Sequence, residues 1–177
     1  MLDPKTKIAA GLERAFARHG FAEPSVEDLR DAAGVSLRTL YKYVPSRTEM
    51  VHAALEHRHR RYLAHMFDDL PGDPRAALPA LMDRVGDWMA RETSHGCLFH
   101  AAVAAAPADA RLRDLLGRHK AEVAGRAAAA AGLADREIAL MLIIEGLTQS
   151  WPLHRDMAVA NAKLLGDALV RATVAFG

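Results

Sequence analysis

Apolar residues recur at three- and four-residue steps along nearly the whole chain, and no stretch alternates at two residues as a half-buried strand would. Residues 4–19 place Ile8, Leu12, Ala15 and Phe16 on one stripe, and Gly20 ends it. Val26, Leu29, Ala32 and Ala33 line a second, short helix. Val35, Leu40 and Val44 point inward from a third, over about 36–43, which Pro45 stops. A longer helix over 46–67 turns Met50, Val51, Ala54, Leu55, Tyr62 and Met66 inward. Residues 68–74, with two prolines and a glycine, break it. Five more helices follow, near 75–93, 97–105, 109–131, 135–151 and 156–175, punctuated by Pro107, Gly132 and Pro152. The pattern predicts an all-α chain of about nine helices.

The last two helices differ from a surface pair. Ile138 to Ile144 is apolar nearly all round, and Leu147 and Trp151 extend it. Val159, Ala162, Leu165, Ala168, Leu169 and Ala172 give the final helix an apolar stripe, with Ala160 small enough to allow close contact. A helix apolar on all sides must be buried on all sides. In a chain this small, one side can face its own domain and the other a second subunit, pairing through 135–151 and 156–175, or both can be buried in a monomeric bundle core.

The stretch from Ser25 to Met50 carries the most chemistry. Ser25, with Asp28 three residues on, has the form of a capping box. Gly34 suits the left-handed end of a helix, and Ser36 can cap the next one. Ser46 can cap a third, with Glu49 completing a second box. Two helices joined by about three residues fit a helix-turn-helix. The second helix leaves Leu37, Arg38, Thr39, Tyr41, Lys42 and Tyr43 on its solvent side or edges. Arg38 can donate two hydrogen bonds to a guanine edge. Thr39, Tyr41, Lys42 and Tyr43 suit phosphate and sugar, which fix register. Ser25, Ser36 and Arg47 join them as candidate DNA contacts.

Gly20-Phe21, Ser25-Val26-x-x-Leu29, Ala33-Gly34-Val35-Ser36, Thr39-Leu40-Tyr41-x-Tyr43 and Ser46-Arg47-x-x-Met50 together resemble the N-terminal domain of TetR/AcrR-like transcriptional regulators. The resemblance covers about residues 5–60. It implies a helix-turn-helix domain over 1–48, an effector-binding and dimerisation domain over 49–177, and the helix 46–67 connecting them. It also implies a dimer on a palindromic operator, most often a repressor, released by a small molecule. Arg38 stands where the family often has Gly, and Val44 where it usually has Phe. The first alters base or backbone contacts; the second loosens core packing within apolar chemistry. A helix-turn-helix factor without an effector is the other reading open.

Composition adds bounds. The 177 residues suffice for a substantial core, and 51% apolar with 25% charged is ordinary for a globular chain. No run of about 18 uncharged apolar residues predicts a membrane span. The N-terminus lacks the apolar core of a signal peptide, and the single Cys97 fits a reducing compartment, so a cytoplasmic protein is expected. Net charge is only +1, yet residues 1–61 carry eleven Lys and Arg against eight Asp and Glu. The N-terminal part thus has the sign that phosphate requires, and Lys5, Lys7 and Arg14 could add backbone contacts.

The segment Gly96-Cys97-Leu98-Phe99-His100, with His119-Lys120 and the apolar helix near 138–151, looks like one C-terminal subgroup of the same family. In such proteins central helices enclose an effector pocket. Candidate lining residues are Met66, Trp88, Met89, Cys97, Phe99, Val103, His119, Met141, Glu145 and Trp151, an aromatic and Met wall with few polar groups. Glu145 lies within Ile143-Ile-Glu-Gly-Leu147, where a charge must be paired or hydrogen-bonded. It reads either as a ligand anchor or as a salt bridge to Arg or His. Cys97 with His95 and His100 supplies neither CxxC nor HxxxH spacing, so no metal is expected. His52, His57, His59 and His65, beside Arg58, Arg60 and Arg61, read as a solvated helix face. No Gly-rich phosphate loop, GxSxG or paired metal carboxylates occur, so neither an enzyme nor a cofactor is expected.

Overall fold

The computed structural model describes residues 3–92 and 96–175; His95 lies outside them. Among the described residues there are eight helices and no strand: α1 (Pro4–His19), α2 (Val26–Ala33), α3 (Leu37–Tyr43), α4 (Arg47–Phe67), α5 (Pro74–Glu92), α6 (Leu98–Ala105), α7 (Ala110–Ala130) and α8 (Glu137–Ala175). The two last helices expected from sequence run on as α8, whose regularity breaks at Arg155 (φ 46°, ψ −124°). The stop expected at Pro152 falls three residues later, at Arg155, close enough for the proline to act as the kink.

Two compact units form. One holds the described residues up to Arg61 together with Leu98–Leu116, and the other holds Tyr62–Cys97 and the residues from Gly117 on. The first half of α4 shares a core with the helices before it. That core is Ile8, Leu12, Ala15 and Phe16 of α1, Leu29 and Ala33 of α2, Leu40 of α3, Val44, and Met50 and Ala54 of α4. Gly11 lets α1 touch α2: a Cβ there would come within 2.3 Å of the Ala32 carbonyl oxygen. Phe16 and Phe21 stack with ring centroids 5.0 Å apart.

The second unit gathers Met66, Leu81, Met82, Met89, Leu133, Leu140 and Ile144 with Trp88 and Trp151. Arg84 of α5 closes the C-terminal end of α4. Its guanidinium donates to the carbonyls of His65, Met66, Asp68 and Asp69 at 2.6–3.2 Å. These are the carbonyls a helix end leaves without intrahelical partners, and a cation there also meets the negative end of the helix dipole.

Along α4 the expected solvated face is overturned. Arg58 and His59 are 3% and 4% exposed and His52 is 7% exposed. His52 faces Asp109, 3.3 Å away, whereas Arg58 is held by Glu13, a carboxylate buried on the apolar stripe of α1. It accepts from Arg58 Nη1 at 3.1 Å and Arg61 Nη1 at 2.8 Å, and meets His57 Nδ1 at 2.5 Å. Buried cations persist where a carboxylate and hydrogen bonds compensate them. His65 turns instead to the Arg84 carbonyl, 2.7 Å away.

Candidate nucleic-acid interface

The helix-turn-helix is built by its caps. Ser25 accepts from the Asp28 N–H at 3.1 Å, and the Asp28 carboxylate accepts from the Ser25 N–H at 2.8 Å, so the capping box is closed both ways. The Ser25 hydroxyl, then its backbone N–H, hold the Asp28 carboxyl below the ordinary carboxylate range. Gly34 (φ 64°) ends α2 in the left-handed region, its N–H returning to Arg30 and Asp31. Ser36 then caps α3 by accepting from the Thr39 N–H at 3.1 Å, and the two hydroxyls lie 2.9 Å apart. Ser46 caps α4 through the Glu49 N–H. The Glu49 carboxylate, expected to complete a box there, accepts from Arg111.

Within α3 only Leu40 is buried, and it anchors the helix by its inner side. Arg38, Tyr41, Lys42 and Tyr43 are exposed, and Leu37 and Thr39 half-buried. The Lys42 ammonium lies 5.7 Å from the Tyr43 ring centre. The helix therefore offers a guanidinium, an ammonium, two phenols and a hydroxyl on one accessible side, while the caps at Ser25 and Ser36 hold its angle to α2.

Arg47 is revised. Its guanidinium donates to the Pro24 carbonyl at 2.8 Å and the Phe21 carbonyl at 2.7 Å, and sits 5.9 Å from the Phe16 ring centre. It braces the entry to α2 rather than reaching outward. Lys7 donates to the Gly34 carbonyl at 3.1 Å and so supports the turn between α2 and α3. Neither role was visible in sequence, where a basic residue near a reading helix suggests phosphate.

The effector candidates divide between the units. Phe99 and Val103 fall in the first, on α6; the other eight fall in the second. There Met66, Trp88, Met89 and Trp151 are core residues, with Met141 packed against them. His119 is buried, 5.3 Å from the Tyr62 ring, which meets Trp88 edge-on at 5.1 Å. Glu145 pairs with Lys120 at 2.5 Å, and Lys120 also donates to Cys97 Sγ at 3.3 Å. Glu145, Lys120 and Cys97 thus form one half-buried polar group.

On α8, Ile138, Leu142, Leu153, Met157, Leu164 and Leu165 are 57–80% exposed. Leu142, Leu147, Met157, Ala162 and Leu165, from both sides of Arg155, line one apolar groove. A straight helix would hold Leu142 and Leu165 about 34 Å apart, so the break at Arg155 folds the two arms together. No described helix is long and apolar enough to cross a membrane.

Among the described residues the chain is all-α, with a capped helix-turn-helix and a longer helical second unit. The profile of the bacterial regulatory proteins, tetR family, matches residues 8–54, and over the whole chain the likeness is one of fold. A TetR-family transcriptional regulator from Streptomyces coelicolor is similar over 96% of this chain and 95% of its own, at 18% identity and a TM-score of 0.79. A TetR transcription regulator from Haloarcula marismortui is similar over 96% and 97%, at 19% identity and 0.77. A putative TetR-family regulator from Rhodococcus sp. is similar over 94% and 98%, at 22% identity and 0.76. No curated protein matches this chain.

Proposed function

We propose that this chain is a ligand-responsive transcriptional repressor that binds a palindromic DNA site as a homodimer. Residues 1–48 form the reading head and residues 49–177 the effector-binding and dimerisation domain. The observation that carries the reading is α3: one buried anchor, Leu40, and an open face of Arg38, Tyr41, Lys42 and Tyr43 between two closed caps. Arg38 reads a guanine edge in the major groove, and Lys42, Thr39, Tyr41 and Tyr43 hold phosphate and sugar. Ser25 and Ser36, at the helix starts, bring backbone N–H groups toward the same phosphates, and Leu37 makes apolar contact with a base edge.

The exposed side chains of α8 supply the pairing. Monomers rarely expose so contiguous an apolar surface, and a second copy covers it as a four-helix seam. Two heads then meet successive major grooves, roughly 34 Å apart. A small molecule bound among Met66, Trp88, Met89, Cys97, His119, Met141, Glu145 and Trp151 of the second unit favours a dimer whose head spacing no longer matches DNA. The Glu145–Lys120 pair gives that site its polar end.

Fluorescence anisotropy of labelled duplex DNA tests the reading. Affinity falls steeply with salt, with a log–log slope of roughly −0.9 for each phosphate neutralised. Absence of salt-dependent binding to any duplex rejects it.

A further inference from the structure

We propose that Arg155 is a strained joint in α8, latched by its stack on Trp151, and that this latch passes a movement at the effector site to the dimer seam. The inference rests on the seam reading above and gives that seam its control.

The geometry lies within the second unit. Arg155 sits at φ 46° and ψ −124°. An L side chain rarely adopts that region, and keeps it only where the surroundings enforce it. Its guanidinium carbon lies 4.2 Å from the centre of the Trp151 ring, four residues back. An indole face is the best aromatic partner for a cation. Trp151 is buried, in one core with Met82, Met89 and Ile144. The stack thus ties an exposed, strained residue to a fixed one.

The joint is also clamped from α5. A Cβ at Gly86 would come within 2.7 Å of Val159 Cγ2 and 3.9 Å of Trp151 Nε1. The missing side chain lets both arms of α8, one on each side of Arg155, close on the same point of α5. Met89 lies three residues on, along that face of α5, and Trp88 stands beside it. Trp88, Met89 and Trp151 are all effector candidates, so the joint is built against the wall of the proposed site.

A molecule that displaces the indole removes the stack and leaves the strain at Arg155 without compensation. Residue 155 then relaxes to negative φ, the arms separate, and Leu142 and Leu165 cease to line one groove. A stack and a strain of similar size hold the joint near balance, which a small differential contact can tip.

Arg155→Ala, Arg155→Gly, Gly86→Ala and the pair Gly86→Ala with Val159→Ala would be made in the full chain. Sedimentation equilibrium gives each dimer dissociation constant, and circular dichroism checks that helix content is kept. Arg155→Ala keeps the strain and loses the latch, so the dimer should weaken about tenfold. Arg155→Gly loses both, because glycine accepts positive φ freely, so its dimer should stay within about twofold of the parent. Gly86→Ala drives Val159 off α5 and should weaken the dimer about tenfold. Adding Val159→Ala removes the clashing methyl and should restore it. An Arg155→Ala dimer as tight as the parent's would overturn the latch. An Arg155→Gly dimer as weak as that of Arg155→Ala would overturn the strain. A Gly86→Ala loss that Val159→Ala does not reverse would overturn the route from α5. A parent protein that stays monomeric at micromolar concentration would reject the seam itself and this inference with it.

Discussion

Glu13→Gln isolates the charge of a buried network while keeping its shape. Glu13 is 2% exposed in its side chain and accepts from Arg58, itself 3% exposed. Removing one partner of a buried ion pair costs about 3–5 kcal/mol, mostly from the cation left behind. Three features place this case at the lower end. The Gln carbonyl still accepts a hydrogen bond, Arg61 is 37% exposed and can return to water, and no cavity forms. The expected loss is therefore about 3 kcal/mol. For a chain of this length, each kcal/mol moves the melting midpoint by about 2–4 °C, so the variant should melt roughly 9 °C lower. Circular dichroism on heating measures it, with the exposed Glu23→Gln as a control expected to melt with the parent. If Glu13→Gln melted with the control, the carboxylate would not be what keeps Arg58 and His57 in place.

Gly11→Ala, usually stabilising in a helix, should destabilise here by about 3 kcal/mol in urea unfolding, because the new Cβ meets Ala32 and Ala33 backbone atoms at 2.3–2.5 Å; a gain in stability would mean α1 and α2 do not touch. Leu142→Glu should convert the protein to monomer in sedimentation at micromolar concentration, and remove the concentration dependence of its unfolding; an unchanged dimer would place the seam elsewhere than α8. Asp28 has a folded pKa below its ordinary value, so its contribution is complete above the ordinary carboxylate range and lost as pH falls through the lowered value. Ser25→Ala removes the leading cause, and its unfolding midpoint should depend less steeply on acid pH; a curve parallel to the parent's would show the cap is not the source.

Local signals in the sequence reached the head almost intact. Ser25, Gly34, Ser36 and Pro45 act on neighbours within four residues, so their spacing predicts the caps and stops that form. The α1 stripe predicts the buried Ile8, Leu12, Ala15 and Phe16. Longer-range pairings were not legible. Nothing near Glu13 reveals that residues more than forty positions on bring it two guanidiniums and an imidazole, so the basic stretch of α4 reads as solvated. Arg47 resembles a phosphate ligand until the Phe21 and Pro24 carbonyls come beside it. The apolar surround of Ile138 to Ile144 does register in the structure, as Ile138 and Leu142 left open to solvent while Leu140 and Ile144 pack inward. Glu145 required a partner, and the sequence did not indicate that it is Lys120, twenty-five residues back.

The central claim is that α3 reads DNA, with Arg38 specifying and Lys42 anchoring. Arg38→Ala and Lys42→Ala titrated onto selected and random duplexes over a range of salt test it most directly. Arg38→Ala should lose about 1–3 kcal/mol of preference for the selected site and leave random binding nearly unchanged. Lys42→Ala should weaken both alike and reduce the salt slope by about one per head. Equal losses on both duplexes for both variants, with no change in slope, would contradict the account.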